Sequence, residues 1–201
     1  MNIHPSLIGF DIDGVVADTM EAFIRIAGED YGVYTISPED ITHFMVEDCL
    51  DIDPTIIDEI FTLLLDDPLK AGLKPMPYAT VVLNELSHVA PLTFVTARPQ
   101  REPIDKWLRE VLGKSVYKKT RLVAMGEHDG KADYIKKFGL KYFVDDRAQT
   151  CIMLDQEGIT PYVFSQPWNR GRHELETVKD WRGIRALCLG AEDFRLRDQQ
   201  E

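Results

Sequence analysis

Five short apolar runs constrain this chain more than any other feature: LIGFDI (Leu7–Ile12), LTFVT (Leu92–Thr96), RLVAM (Arg121–Met125), YFVDD (Tyr142–Asp146) and PYVFS (Pro161–Ser165). Each is rich in β-branched or aromatic residues and nearly continuous, as in strands covered on both faces. Helical patterns separate the last four, at Glu102–Leu112, Lys131–Phe138 and Ala148–Glu157; Ile104, Trp107, Leu108 and Val111 share one face of the first of these. The alternation predicts an α/β fold with a doubly wound, Rossmann-like, five-stranded parallel sheet. A helix over Pro77–His88 leads into the second run, and a last helix, Val178–Leu189, packs through Trp181, Ile184 and Leu187.

The stretch from Ala17 to Met76 contains no strand-like run. A helix fits DTMEAFIRIAGEDYG, closing at Gly32. SPEDITHF reads as a second helix start, with Ser37 as N-cap, Pro38 at the first helical position and Asp40 at the capping-box position. Asp53 and Pro54 repeat the device ahead of Ile56, Ile57, Ile60 and Leu64, which fall on one face. Residues 17–76 therefore read as a small helical insertion over the end of the first strand. Residues 1–16 and 77–190 form the sheet domain, and 191–201 a frayed tail.

In an open parallel sheet, ligands bind beyond the carboxyl ends of the strands. At those ends stand Asp11 and Asp13 after the first run, Thr96 after the second, and Asp145 and Asp146 after the fourth, while Lys131 opens the helix leading into the fourth. A strand continued through Asp11 and Asp13 would point both to one side. Gly14 then allows a sharp turn and close approach to a ligand. Packed carboxylates repel, and a divalent cation removes that cost. Ligands that are all oxygen favour magnesium, with phosphate oxygens completing its shell. Asp11 or Asp13 alone reads equally well as a solvated strand end, and Lys131 alone as a surface lysine. Together, four acids, a hydroxyl and an ammonium at one edge read as a site.

FDIDGVVADT, FVTAR, GKADYI and YFVDDR resemble the four ordered motifs of the haloacid dehalogenase superfamily of phosphatases. The resemblance covers about Ile3–Asn169 and implies that the insertion is a cap. It also implies that Asp11 is the nucleophile, forming an aspartyl phosphate, and that Asp13 is the general acid and then the base. Magnesium would be held by Asp11, Asp13 (through its backbone carbonyl), Asp145 and Asp146, the last binding metal-bound water or orienting its neighbours. Thr96 and Lys131 would hold the phosphoryl oxygens. The order Asp, Thr, Lys, Asp differs from that of receiver domains, where the phosphorylated Asp comes late.

FDIDGVVADT, SPEDIT and SQPWNR are similar, more narrowly, to the 5'(3')-deoxyribonucleotidase branch and its bacterial relatives. This implies a (deoxy)nucleoside monophosphate as substrate. Candidate substrate contacts are Gly14, Ala97, Arg98, Phe23 and Phe44. Tryptophan is absent from the insertion, and each of the two phenylalanines reads more readily as core than as a stacking residue. A sugar phosphate or other small metabolite is the alternative substrate, and a non-catalytic phospho-ligand-binding protein the alternative class.

The net charge of −11 argues against binding of polymeric nucleic acid. Cys49, Cys151 and Cys188 are scattered and odd in number, and read as free thiols. His128 reads as a loop histidine. No apolar run approaches the ~20 residues that span a bilayer, and MNIHPSLIGF lacks signal-peptide features. The expectation is a soluble, cytoplasmic protein of undetermined oligomeric state.

Overall fold

The structure, a computed structural model, describes residues 2–127 and 130–190. The loop reading of His128 and the frayed-tail reading of 191–201 fall outside these residues. Strands β1 (Ile8–Phe10), β2 (Leu92–Thr96), β3 (Thr120–Ala124), β4 (Tyr142–Asp145), β5 (Thr160–Phe164) and β6 (Thr177–Val178) form one parallel sheet in the order β3-β2-β1-β4-β5-β6. The chain builds outward from β1 to β3, then returns to β1's other side with β4. The carboxyl end of β1 therefore lies at the point where the connections diverge, which is where such sheets hold ligands.

Helices α3 (Ala79–Val89), α4 (Arg101–Tyr117) and α7 (Trp181–Leu189) pack on one face. Helices α5 (Lys131–Lys137) and α6 (Ala148–Gln156) cover the other, over a separate buried cluster of Val95, Ile135, Leu140, Phe143, Leu154 and Ile159. Both faces of the central strands are thus dry, which explains their unbroken apolar runs. Gly9 in mid-strand has a packing reason, since a Cβ there would lie 2.8 Å from Leu140 Cδ1.

The sheet has six strands and not five. The sixth is a two-residue edge strand paired at Val163–Thr177 and Phe164–Val178, too short to leave a run in the sequence. It also displaces the start expected for the last helix: Val178 is in the sheet, and α7 starts at Trp181 because the Asp180 carboxylate accepts from the N–H groups of Arg182 and Gly183. Helix α4 runs past its expected end, with a break at Gly113, where φ is 70°.

The insertion holds α1 (Thr19–Tyr31) and α2 (Pro54–Asp66), packed on each other. Asp18 and Asp53 cap their N-termini, and Gly32 closes α1 in the left-handed conformation. Ile57, Ile60 and Leu64 are buried, with Ile56 half-buried beside them. The device at Ser37 makes one 3-10 turn, Pro38–Asp40, and not a longer helix. Its capping box is formed, but Ile41 leaves helical geometry and drives its side chain into the core.

The two linkers of the insertion run side by side. Asp18 N donates to Lys74 O and Met76 N to Val16 O, both at 2.8 Å. Two buried tryptophans pin this region from below: Trp181 Nε1 donates to Val15 O and Trp107 Nε1 to Leu73 O, each at 2.8 Å. An indole buried this deeply needs a partner for its N–H, and here the partners are loop carbonyls that fix the path of the chain.

Candidate active site

Strand β1 ends at Phe10, but Asp11 N still donates to Val144 O, so Asp11 keeps its register beside β4. Its Oδ2 lies 2.9 Å from Lys131 Nζ, which also donates to Asp145 Oδ2 at 2.6 Å. Lys131 is buried at the first position of α5, behind Gly130. Asp145 closes β4, with its Oδ1 accepting from Arg147 N. One ligand atom from each of Asp11, Asp145 and Asp146 lies within 4.8 Å of the others, and all three residues are buried.

Two of these buried carboxylates, Asp11 and Asp145, thus share the ammonium of Lys131, and Asp146 lies close beside them without pairing to it. Burial, reinforced by Asp145 and Asp13, pushes Asp11 up to about 7 against the pull of Lys131. Burial and the charges of Asp145 and Asp11 also raise Asp146 well above the usual carboxylate range. Burial opposes the charge on Lys131, but Asp11 and Asp145 outweigh it and hold the ammonium's pKa above its ordinary value. Such crowding marks functional carboxylates more often than structural ones.

Asp13 points elsewhere. The chain turns after Asp11 instead of continuing as a strand, so the two acids part. Asp13 Oδ1 accepts from Thr19 Oγ1 at 2.7 Å and from Arg98 Nη2 at 2.8 Å, and its Oδ2 from Arg98 Nε at 2.9 Å. Burial works against its charge, yet Arg98 and Thr19 outweigh it and hold the carboxyl below its ordinary range. Gly14 follows with φ of 68°, and a Cβ there would collide with the Asp146 carboxylate. Close approach is thus the reason for glycine at this position.

A cavity of about 380 Å³ opens above these groups. Its floor is Asp11, Asp13, Gly14, Thr96, Ala97, Lys131, Asp145 and Asp146; its upper wall comes from the insertion, through Met20, Phe44, Phe61 and Leu65. The Phe44 ring also faces the Arg147 guanidinium, 5.1 Å from the ring centroid. Phe23, a candidate substrate contact from sequence, does not line the cavity. It is fully buried, and Phe61 stacks over it at 5.2 Å between ring centroids. Arg98 reaches the cavity wall, but its guanidinium is committed to Asp13 and to Leu64 O.

Sequence reasoning did not find several residues that shape the site. Trp168 Nε1 donates to Asp146 Oδ2 at 3.0 Å. Asn169 Nδ2 donates to Asp146 O and Phe164 O, and Gln166 Nε2 to Gly14 O, each at 2.7 Å. The signal was SQPWNR, at the same end of the sheet as the acids. These side chains brace the loops after β1 and β4. Thr19 carried no separate signal, being accounted for by a helix N-terminus, and nothing set Phe61 apart from the other aromatic residues of the insertion, since an apolar helix face accounts for it equally well.

A parallel sheet with Asp-x-Asp after its first strand, a helical insertion next, and then a hydroxyl at the end of β2, an ammonium at the start of α5 and an acid pair at the end of β4 defines a hydrolase of the haloacid dehalogenase class. Residues 5–194 match the family model described as 5' nucleotidase, deoxy (pyrimidine), cytosolic type C protein. The chain belongs to that family, and with it to the phosphatase-type hydrolases.

Solved structures agree on the fold. A haloacid dehalogenase-like family hydrolase from Streptococcus pneumoniae is 15% identical with a TM-score of 0.58, the match covering 90% of this chain and 95% of that one. A predicted phosphoglycolate phosphatase from Haemophilus somnus 129pt is 15% identical with a TM-score of 0.57, over 90% and 97% of the two chains. A superfamily hydrolase from Geobacter sulfurreducens PCA is 16% identical with a TM-score of 0.55, over 88% and 93%. No curated protein matches the chain at a significant level.

Proposed function

We propose that the chain is a magnesium-dependent phosphomonoesterase that works through an aspartyl phosphate, an acyl phosphate on Asp11, and takes (deoxy)nucleoside monophosphates. The observation that carries this reading is the buried group of Asp11, Asp145 and Asp146, the first two paired to Lys131. Its donors are all oxygen, and its acids exceed the ammonium available to them, so the residues fit a hard divalent cation. Asp11, Asp145 and Asp146 would hold it by their side chains, and Asp13 by its backbone carbonyl. Bound there, magnesium would neutralise the acids and the phosphate oxygens, letting anion meet anion.

An Asp11 oxygen attacks phosphorus, and the bond to the ester oxygen breaks. Asp13, ionised beside Arg98 in the free site, takes up the proton that a phosphate monoester monoanion brings and gives it to the leaving oxygen, then takes one from the water that attacks the aspartyl phosphate. Lys131 and Thr96 hold the phosphoryl oxygens while charge moves between them. Phe44 and Phe61, which line the cavity, supply an apolar wall for a base, with residues 17–76 acting as the cap. The cytosolic type in the family's description supports the cytoplasm as the compartment.

The test is a panel of nucleoside monophosphates, sugar phosphates and small phosphate esters, each assayed with magnesium and with chelator. Nucleotide turnover that needs magnesium is the expected result. Turnover of sugar phosphates alone overturns the substrate assignment, and no turnover of any ester overturns the enzymatic reading.

A further inference from the structure

The Arg98 guanidinium is nearly closed to solvent, and its donors split between two partners. Nε and Nη2 fork onto the two oxygens of Asp13, at 2.9 and 2.8 Å, while Nη1 donates 2.7 Å to Leu64 O of α2. Asp13 belongs to the sheet domain and Leu64 to the insertion. The remaining contact on Asp13 Oδ1 also comes from the insertion, through Thr19 at the start of α1. Both carboxylate oxygens of Asp13 are therefore oriented by groups whose own positions depend on where the insertion sits. A planar fork fixes a carboxylate about both its position and its plane, which a single ammonium cannot do.

We infer that Arg98 is a positioning residue that aims the Asp13 carboxylate at the ester oxygen and ties that aim to the docking of α2. This rests on the role proposed above for Asp13. Arg98 itself moves no proton and touches no reacting atom. Its backbone N also donates to Thr96 Oγ1 at 3.3 Å, so the same residue steadies the hydroxyl at the end of β2. The Nη1 contact to Leu64 O anchors the fork on α2, so the aim of Asp13 is tied to the docked position of that helix.

Leaving-group dependence separates this role from a structural one. Nitrophenolate departs without a proton, whereas an alkoxide does not. The variants are D13N, R98K and R98Q, with kcat/KM measured on 4-nitrophenyl phosphate and on an alkyl phosphate or nucleotide that the wild-type enzyme turns over. Loss of a positioned acid costs about 10²-fold or more on the alkyl ester and within about tenfold on the aryl ester. The expected result is that D13N shows this split and that R98K and R98Q, melting cooperatively like the wild type, reproduce it. Lysine then fails to rescue although it keeps the charge.

Equal losses on both esters in the Arg98 variants, or full activity in R98K, overturn the inference while leaving the proposed reaction standing. A D13N enzyme without the split overturns the acid role of Asp13 itself, and this inference with it. R98Q guards against a lysine that finds Asp13 by a different route. A split in R98K that is absent from R98Q also counts against positioning by the fork.

Discussion

Asp11 sits among like charges, and that situation makes two predictions at the level of single residues. Its pKa is raised to about 7 from an ordinary value of 3.8, so the folded state takes up a proton that the unfolded chain releases. In chelator, the stability linked to Asp11 is therefore full below about pH 4 and declines as pH rises towards 7. D11N removes that charge. It is expected to melt at or above the wild-type temperature at pH 8 in chelator while its turnover falls to background; a variant that stays active shows that Asp11 is not the nucleophile. Magnesium is expected to raise the wild-type melting temperature, by the equivalent of about 2.7 kcal/mol at a hundredfold excess over its dissociation constant. D145N is expected to abolish the rise, read by thermal denaturation with and without the ion. The acids, Thr96 and Lys131 were legible in the sequence because a parallel sheet brings strand ends together. The parting of Asp11 and Asp13 was not legible, because it depends on a turn at Ile12–Gly14 and on Arg98, distant in sequence, drawing Asp13 aside. Phe23 and Phe61 show the same limit: the apolar pattern of a helix names the residues on its buried side but not which ring covers which.

Elements with strong local chemistry were the easiest to read. Asp53 with Pro54, and Gly32 at the end of α1, delimit their helices because capping is decided within a few residues. The edge strand β6 and the start of α7 were misread together, since pairing to β5 is a non-local fact and Val178 suits either assignment. Helix α7 now offers its own test. Asp180 accepts from Arg182 N at 2.9 Å and Gly183 N at 3.1 Å, and the Arg182 guanidinium lies beside it. Partial burial opposes its charge, but these donors outweigh it and hold its pKa below the ordinary value. Its contribution is therefore complete above about pH 4 and is lost as pH falls through the folded-state value. D180A is expected to lower stability by about 1 kcal/mol at pH 7, a deficit that shrinks at pH 3. Urea denaturation at the two pH values checks both statements. A deficit unchanged at pH 3 means that α7 loses packing and not a charged cap.

For the whole molecule, in the function proposed above, the sheet supplies the phosphoryl chemistry and the insertion supplies the wall against the leaving group. Truncating that wall should therefore affect large substrates alone. F61A is expected to raise KM for a nucleoside monophosphate roughly three- to tenfold, the loss of one aromatic contact, and to leave kcat/KM on a small alkyl phosphate within about threefold of wild type. Steady-state kinetics on the two substrates decide it, and equal losses on both place Phe61 in the fold and not in recognition. Among the described residues, no helix is long and apolar enough to cross a membrane. The linkers at Val16–Asp18 and Lys74–Met76 enter and leave the sheet domain hydrogen-bonded to each other. An interruption whose two ends already touch adds almost nothing to the distance the outer chain must close, whatever its length. The compartment above the acids can consequently be rebuilt, lengthened or exchanged for another without asking β1 or β2 to move, so that what the protein accepts and how it cuts are free to diverge.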